Sequence, residues 1–241
     1  MTTASDAPSR RPPHTFGVLA ALPGELGVLR SEAAVHAHRH GFELRETSID
    51  AGRARILATV AGVGKVAAAG AAGALLAEGI DALLVVGTCG GLRQADEVGD
   101  LVHARVAIQW DLAVRDGRVL HADEGLRRAW RGVCAGADGA FLTADRPAIR
   151  VLERLRRARA TRGFAEGTVV ADMETAGAAA VAERAGVPWA ALRVVSDRRP
   201  RWSDLVRAGQ RRGASFEEGY RLHAATPAAS VPELCRAVVS H

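Results

Sequence analysis

The chain has 241 residues, of which 48% are hydrophobic and only 4% aromatic, and its formal net charge at pH 7 is +5. This length and apolar content suffice for one large domain with its own core. The positive charge suggests a nucleic-acid partner, but the arginines alternate with leucine and alanine along predicted helices such as 150–162. We therefore expect solvated helix faces and no nucleic-acid partner, since so few aromatic residues cannot build a base-stacking surface.

Cysteine usage and the N-terminal composition bear on the cellular location. Cys89, Cys134 and Cys235 form no Cys-x-x-Cys pair, which favours a reducing compartment over a disulfide framework or a structural zinc site. No apolar run is long enough to span a membrane, and residues 1–14 lack the apolar centre of a secretory signal. We expect a disordered tail at 1–14, a single domain at 15–241, a cytoplasmic location and no membrane partner.

The first predicted unit is a strand, a turn and a helix. Phe16 to Ala21 is an apolar strand, Leu22 to Gly24 form the turn, and Glu25 begins a helix that runs to about Ala34. The helix dipole favours a carboxylate in a first helical turn, so helix stabilisation is one explanation for Glu25. Its position directly after a strand, at the rim of a sheet, makes a functional role the alternative.

Three alternating histidines follow, His36, His38 and His40. On a strand they would share one face, which is a geometry that metal ligands use. The sequence around them offers no evident carboxylate or cysteine partner, so we expect exposed side chains and no metal.

Two glycine-rich stretches follow predicted strands. The first, Gly62-Val63-Gly64-Lys65, is not a phosphate-binding P-loop, because Val66 stands where Ser or Thr is needed and the upstream glycine is missing. It should let the small-residue helix Lys65–Glu78 pack closely on a neighbour. The second comes after the strand Asp81–Val86 and is predicted as a turn at 87–92. Such a turn exposes backbone N–H groups and the Thr88 hydroxyl, although an ordinary tight turn is the alternative.

The middle of the chain continues the alternation of strands and helices. GxGxxG is absent, so no dinucleotide site is expected. The predicted elements are a strand at Leu101–Gln109, a hairpin around Asp116-Gly117, a helix at Glu124–Cys134, a strand at Ala140–Thr143 and a helix at Ala148–Ala160.

Residues 168–197 predict strand, helix, strand. Thr168–Ala171 and Trp189–Val195 are apolar runs, and between them lies the alanine-rich helix Ala176–Ala185, which Asp172 can N-cap. Polar residues stand at the strand ends, where α/β sheets bind ligands. The whole pattern predicts an α/β fold, a single domain with a central mixed β-sheet flanked by helices.

Four blocks in chain order carry a resemblance to a known family. They are 16–25, the stretch from 62–65 to 87–100, Leu142-Thr143-Ala144-Asp145, and 170–197 with its strings Asp172-Met173-Glu174-Thr175-Ala176 and Val194-Val195-Ser196-Asp197. Together they resemble the purine nucleoside phosphorylase/nucleosidase superfamily, and most closely its 5'-methylthioadenosine/S-adenosylhomocysteine nucleosidase branch. The resemblance implies a purine nucleoside as ligand, no cofactor and no metal. It favours a homodimer, with a trimer or a hexamer as the alternatives.

The resemblance also implies roles for individual residues in breaking an N-glycosidic bond. Asp197 would protonate purine N7 as the general acid, and Ser196 would orient it. Glu25 would be the base for the attacking water. The remaining implied substrate-binding residues are Glu174 for the ribose hydroxyls, Met173 for the ribose face, Asp172 beside them, Thr88, Cys89 and Gly90 in the glycine stretch, and Arg146, Pro147 and Ala148 for the adenine.

Three functions remain open at this point. Phosphorolysis needs cations to hold phosphate. Val85 stands where the bacterial phosphorylases have an arginine, and Glu25 would repel phosphate, so water is favoured as the nucleophile. A phosphorylase would have to use Arg198, Arg199 or Arg201, and a non-catalytic nucleoside-binding protein is the third candidate.

Several departures from the nucleosidase branch affect the substrate. Asp172 stands where the branch usually has Glu, no aromatic residue accompanies Pro147, and Gln109-Trp110-Asp111 replaces Tyr-His-Asp. These changes are typical of a specialised pathway enzyme, such as one cleaving a futalosine- or adenosylhopane-type nucleoside.

Overall fold

A computed structural model describes residues 14–93, 95–113, 118–146, 167–197 and 216–240. In this part of the chain, strands and helices alternate around one mixed sheet. The ten strands are β1 (His14–Ala20), β2 (Ala34–Arg39), β3 (Phe42–Ile49), β4 (Ala54–Val60), β5 (Ala82–Gly91), β6 (Leu101–Gln109), β7 (Val119–His121), β8 (Ala137–Thr143), β9 (Thr168–Asp172) and β10 (Trp189–Asp197). The helices are α1 (Pro23–Leu26), α2 (Val28–Ser31), α3 (Lys65–Leu76), α4 (Glu124–Val133), α5 (Thr175–Arg184), α6 (Phe216–His223), α7 (Thr226–Ala229) and α8 (Val231–Val239).

The sheet closes on itself in one half and stays open in the other. Its order is β10-β6-β8-β9-β5-β1-β4-β3-β2, and β10 pairs again with β5. Strands β5, β10, β6, β8 and β9 therefore form a ring, from which β1, β4, β3 and β2 extend. The pairs β1–β4, β1–β5, β5–β10, β6–β8 and β8–β9 are parallel, whereas β5–β9 and β6–β10 are antiparallel. The predicted mixed α/β fold is confirmed.

The strand β5 lies at the centre of the molecule, and its side chains alternate between two cores. Leu83 and Val85 belong to a core with α3 and α5, while Leu84 and Val86 belong to a core with α4, α7 and α8. All four side chains are fully buried. This two-sided burial explains why the strand reads as a continuous apolar run.

The small-residue helix α3 packs against α5, as its composition predicts. A Cβ on Gly177 of α5 would lie 2.5 Å from the carbonyl oxygen of Lys65, so the two backbones touch. Ala68, Ala71 and Ala72 of α3 are buried in the same core. The alanines of α3 thus make a helix–helix contact with α5 of the same chain.

Two local predictions are wrong. The glycine stretch 87–92 is not a turn, because β5 continues to Gly91 and its end pairs with β9 and β10. The helix from Glu25 to about Ala34 is broken at Gly27, whose φ is +50° and whose Cβ position lies 2.8 Å from the Ala225 side chain. Helices α1 and α2 replace it.

The alternating histidines are exposed, but His36 does have carboxylate neighbours, contrary to the sequence-based expectation. Its Nδ1 lies 2.9 Å from Glu46 Oε2 and its Nε2 lies 3.1 Å from Glu78 Oε2. These partners come from β3 and from the end of α3, which is far away in sequence. Among the described residues, no group of His, Cys, Asp and Glu could hold a metal ion.

Three predicted segments lie outside the described residues: the tail 1–13, the centre of the hairpin at 116–117, and the helix 148–160. The strand β1 begins at His14, the last residue of the predicted tail. Within the described ranges, no helix is both long and apolar enough to cross a membrane.

Candidate active site

Apart from Arg146, the predicted catalytic and binding residues that the structure describes converge on the end of β5. Glu25 follows β1, Asp172 ends β9, and Asp197 ends β10, and all three strands hydrogen-bond to β5. In the register between β5 and β10, Val194 is opposite Thr88 and Asp197 is opposite Gly90. In the register between β5 and β9, Gly90 is opposite Ala171. The sheet itself therefore gathers these residues at one rim.

Glu25 is buried, with 1% of its surface exposed, and both oxygens of its carboxylate accept hydrogen bonds from neutral donors. The backbone N–H groups of Ala21 and Leu22 donate to Oε2 at 3.0 and 2.9 Å. The backbone N–H and the hydroxyl of Thr88 donate to Oε1 at 2.8 and 2.9 Å. Because two of the donors come from the turn after β1 and two from β5, the carboxylate is fixed between the two strands.

Gly87 leaves the space that this carboxylate occupies. A Cβ at position 87 would lie 2.8 Å from Glu25 Oε1 and 2.9 Å from its Cδ. The φ of Gly87 is +143°, a backbone conformation that side chains with a Cβ rarely adopt. The glycine stretch thus makes room for the Glu25 carboxylate, and it does so as part of strand β5 and not as a turn.

A second cluster lies on the other side of Thr88 and centres on Arg193. Its guanidinium is fully buried, and Nη2 lies 3.1 Å from Asp172 Oδ2 and 3.2 Å from Glu174 Oε2. Nη1 donates to the carbonyl oxygen of Thr88 at 2.8 Å, and Nε donates to the Thr175 hydroxyl at 3.1 Å. One cation therefore holds two buried carboxylates and the backbone of β5.

The pKa shifts in this cluster follow from burial and from the three charges. Burial raises the pKa of Glu174, the guanidinium of Arg193 opposes this, and the carboxylate of Asp172 adds to it. The net shift is upward. Burial would lower the pKa of Arg193, but the two carboxylates outweigh it and raise that pKa, so the guanidinium stays charged.

Glu174 has one further bond that points to its use. The backbone N–H of Gly64 donates to Oε1 at 3.1 Å. A carboxylate has about four lone-pair sites. One N–H bond on one oxygen and one ion pair on the other leave it capacity to accept two more hydrogen bonds.

Asp172 has a clear structural task. Its Oδ2 accepts the backbone N–H of Thr175, the first residue of α5, at 2.8 Å, as predicted, although the N-cap residue itself is Glu174 and not Asp172. Its Oδ1 accepts the Thr143 hydroxyl at 2.5 Å. With Arg193 as a third partner, Asp172 ties β8, α5 and β10 together, while a role in substrate binding stays a prediction.

Ser196 contacts Asp197, as expected from their order along the chain. Its hydroxyl lies 3.3 Å from Asp197 Oδ1 and 3.3 Å from the carbonyl oxygen of Cys89. Asp197 is half-buried at the end of β10, whereas Ser196 is buried. The thiol of Cys89 is buried in the core with α3 and α5, and burial raises its pKa.

The remaining predicted residues lie around these clusters. Met173 and Gly90 are half-buried, and Arg146 is exposed next to Asp145. Asp145 Oδ1 accepts the backbone N–H of Lys65 at 2.8 Å, and the Lys65 ammonium pairs with Asp111. Pro147 and Ala148 lie outside the described residues, and so do Arg198, Arg199 and Arg201.

Sequence reasoning missed Arg193. It stands within the run Trp189–Val195, which predicts a buried strand, and a single arginine inside such a run was the available signal. A charged side chain is almost never fully buried without partners, so its presence there indicates buried carboxylates nearby.

The site thus places several carboxylates at one rim of a partly closed mixed sheet. Comparison with known proteins identifies the family. The family model of the phosphorylase superfamily matches residues 15–218, and the chain belongs to that superfamily. None of the curated protein sequences compared with the chain matches it significantly.

Several solved structures share the fold at low sequence identity. A 5'-methylthioadenosine/S-adenosylhomocysteine nucleosidase from Colwellia psychrerythraea, in complex with adenine, is 19% identical with a TM-score of 0.75; the match covers 93% of this chain and 96% of that one. An S-adenosylhomocysteine nucleosidase from Streptococcus pyogenes with 5-methylthiotubericidin is 19% identical with a TM-score of 0.73, covering 93% and 97%. A futalosine hydrolase mutant from Helicobacter pylori is 18% identical with a TM-score of 0.72, covering 94% and 99%.

Proposed function

We propose that the protein hydrolyses the N-glycosidic bond of an adenine-type purine nucleoside that carries a 5'-substituent, and releases the free base. The observation that carries the proposal is the buried carboxylate of Glu25, which accepts three backbone N–H groups and the Thr88 hydroxyl. Convergent backbone N–H groups are what an anion needs for binding. Here a side chain of the protein already occupies them.

This occupancy favours water over phosphate as the nucleophile. A phosphate ion would need donors and cations, yet it would meet the negative charge of Glu25. At the position of the phosphorylase arginine stands Val85, which is fully buried in the core. A water molecule, by contrast, can donate its proton to a carboxylate that is held in place. The acceptor site becomes free when the Thr88 hydroxyl rotates its proton away from Oε1, and Glu25 is proposed as this base.

Asp197 is proposed as the general acid for the departing purine. Bond cleavage leaves negative charge on the base, and protonation of N7 neutralises it. Asp197 is half-buried at the rim, and the Ser196 hydroxyl lies 3.3 Å from one of its oxygens. That contact can hold the carboxyl in one orientation.

Glu174 is proposed to bind the ribose hydroxyls. Its two oxygens have spare acceptor capacity, and Gly64 and Arg193 hold it in position. Met173 and the Thr88–Gly90 segment would line the ribose, and the backbone of Arg146, Pro147 and Ala148 would meet the base. The fold neighbours that were solved with adenine or with 5-methylthiotubericidin support a purine ligand.

The identity of the 5'-substituent separates two versions of this proposal. In one version the substrate is methylthioadenosine or adenosylhomocysteine, by analogy with two of the fold neighbours. In the other it is a futalosine-type nucleoside, by analogy with the third. The proposal includes a homodimer in the cytoplasm, which sedimentation and cell fractionation can test.

The first experiment is free-base release from methylthioadenosine, adenosylhomocysteine, adenosine, inosine and aminofutalosine, each with and without phosphate. Release of adenine without phosphate is expected, and the fastest substrate identifies the 5'-substituent. Release that requires phosphate and yields ribose 1-phosphate would overturn the hydrolase in favour of a phosphorylase.

The acid is tested by Asp197→Asn, which cannot donate the proton. General acid catalysis contributes about 10²- to 10⁴-fold, so base release should fall by that factor. Asp50→Asn is the matched control, because Asp50 is a surface residue with φ of +52°, which Asn tolerates. A wild-type rate in Asp197→Asn would remove Asp197 from the mechanism.

A further inference from the structure

Helix α6 touches both segments that carry the proposed acid and base. Two adjacent residues make the contacts. A Cβ on Gly219 would lie 1.9 Å from the carbonyl oxygen of Ser196, so the helix backbone rests directly on the end of β10. Tyr220 reaches to the turn after β1, where its hydroxyl oxygen lies 2.5 Å from the position that a Cβ on Gly24 would take.

The contact with Gly24 is a hydrogen bond as well as a close fit. The backbone N–H of Gly24 bonds to the Tyr220 hydroxyl, and the Glu25 carboxylate is near enough to act on the same group. Burial, and then the charge of Glu25, raise the pKa of Tyr220. The side chain therefore stays a neutral phenol at physiological pH, which suits a place beside a carboxylate.

The side chain of Tyr220, and not the backbone conformation, limits the size of the residue at position 24. It lies in helix α1 and is not among the glycines with positive φ, so an alanine could adopt its conformation. The obstacle to a side chain at this position is the Tyr220 ring, with Oη at 2.5 Å and Cζ at 3.2 Å from the Cβ position. Residues 24 and 220 thus form a matched small–large pair.

The turn that Tyr220 holds is the one that fixes Glu25. The backbone N–H of Glu25 donates to the Leu22 carbonyl at 3.0 Å, and the N–H groups of Ala21 and Leu22 donate to its carboxylate. A shift of the Gly24 peptide would therefore move the Glu25 side chain and two of its four donors together.

We propose that Tyr220 is a positioning residue for the base. Its hydroxyl holds the Gly24 N–H and so fixes the turn on which Glu25 stands, while Gly219 seats the same helix on the Ser196–Asp197 segment. The proposal rests on the proposed function of Glu25. It assigns to α6 the task of keeping acid and base at a constant separation.

The test is a double-mutant cycle with Tyr220→Phe and Gly24→Ala, with kcat and KM measured on the fastest substrate. Tyr220→Phe removes only the hydroxyl and should lower kcat about 5- to 10-fold, as for one lost hydrogen bond, with KM within about 2-fold. Gly24→Ala should lower kcat further, because the new methyl meets Oη. The double variant should recover activity relative to Gly24→Ala, since the nearest remaining ring atom is Cζ at 3.2 Å.

Leu222→Ala is the control on the same helix, where the side chain is 61% exposed, and it should leave kcat unchanged. The free energy of unfolding is measured for the same single and double variants, because this measurement does not depend on catalytic activity. Energetic coupling between the two positions is expected in both cycles.

Each outcome has a separate meaning. Coupling in unfolding without coupling in kcat would overturn the positioning role, and no coupling in either cycle would overturn the contact itself. A wild-type protein that releases no base would overturn the proposed function and the positioning role together, and the unfolding cycle would then report on the contact alone.

Discussion

Glu25 and Glu174 are both buried at the same rim, yet the protein holds them in different ways. Glu25, 1% exposed, accepts four hydrogen bonds from neutral donors, three of them backbone N–H groups. Glu174, 4% exposed, accepts one backbone N–H and otherwise faces the guanidinium of Arg193, which it shares with Asp172. The first carboxylate is held by neutral donors of a turn and of a strand, and the second chiefly by one cation.

The difference suits the two proposed tasks. A base must keep its charge in one place while a proton arrives, and preorganised backbone dipoles do this without moving. A ribose-binding carboxylate must leave acceptor sites open, and a cation on one side of it allows that. The comparison predicts that Glu25 is sensitive in catalysis, whereas the Glu174 cluster is sensitive in stability.

The largest expected effect is on catalysis and comes from Glu25→Gln. The amide cannot act as the base, and its NH₂ group would face backbone donors. We expect base release to fall by about 10²- to 10⁴-fold with little change in KM. Glu233→Gln, at an exposed position of helix α8, is the matched control with unchanged kinetics. A kcat close to that of the wild type would mean that Glu25 is only a structural carboxylate.

The next effect is on stability and comes from Arg193→Met. Removing one partner of a buried ion cluster leaves uncompensated charges, so the free energy of unfolding should fall by about 3–5 kcal/mol. Arg128→Met is the control, because that arginine is 72% exposed and pairs with Glu124 at 3.6 Å, where about 0–1 kcal/mol is expected. Urea denaturation measures both, and equal losses in the two variants would contradict the comparison.

The smallest effect is a pH dependence that distinguishes Glu174. Its pKa is raised in the folded state, chiefly by burial, above the unfolded value of about 4.3. Its contribution to stability is therefore fully present below the unfolded pKa and is lost as the pH rises through the folded pKa. Glu174→Gln does not ionise, so its stability relative to the wild type should improve between about pH 4 and pH 7. Chemical denaturation at both pH values measures this, and a relative loss of stability at pH 7 would show that Arg193 outweighs burial.

The positions of the polar residues at strand ends were predictable, but their partners were not. Glu25 and Asp197 stand directly after apolar runs, and the ends of parallel strands meet at one rim, so their convergence follows from the pattern. That Thr88 bonds Glu25, or that Arg193 joins Asp172 to Glu174, depends on the register between β5, β9 and β10. Register is set by long-range pairing, which a single sequence does not display.

The errors have the same origin. The stretch after Val86 has turn composition, yet pairing with two strands draws it into β5. His36 finds Glu46 and Glu78 only because β3 and the end of α3 fold beside β2. Gly27 breaks the predicted helix where it packs against Ala225, nearly the whole length of the chain away. Local propensity is overridden in each case by a contact that is distant in sequence.

The central place of β5 has a consequence for how the protein is made. β5 hydrogen-bonds to β1, which is synthesised before it, and to β9 and β10, which leave the ribosome much later. Until Trp189–Asp197 has been synthesised, the apolar strand Ala82–Gly91 lacks one neighbour, and Asp172 and Glu174 lack their cation. Pairings of such large sequence separation form late and leave incomplete chains prone to aggregation. A nascent chain that stops before β10 lacks both Arg193 and Asp197, so the rim of carboxylates assembles only after residues 189–197 have been synthesised.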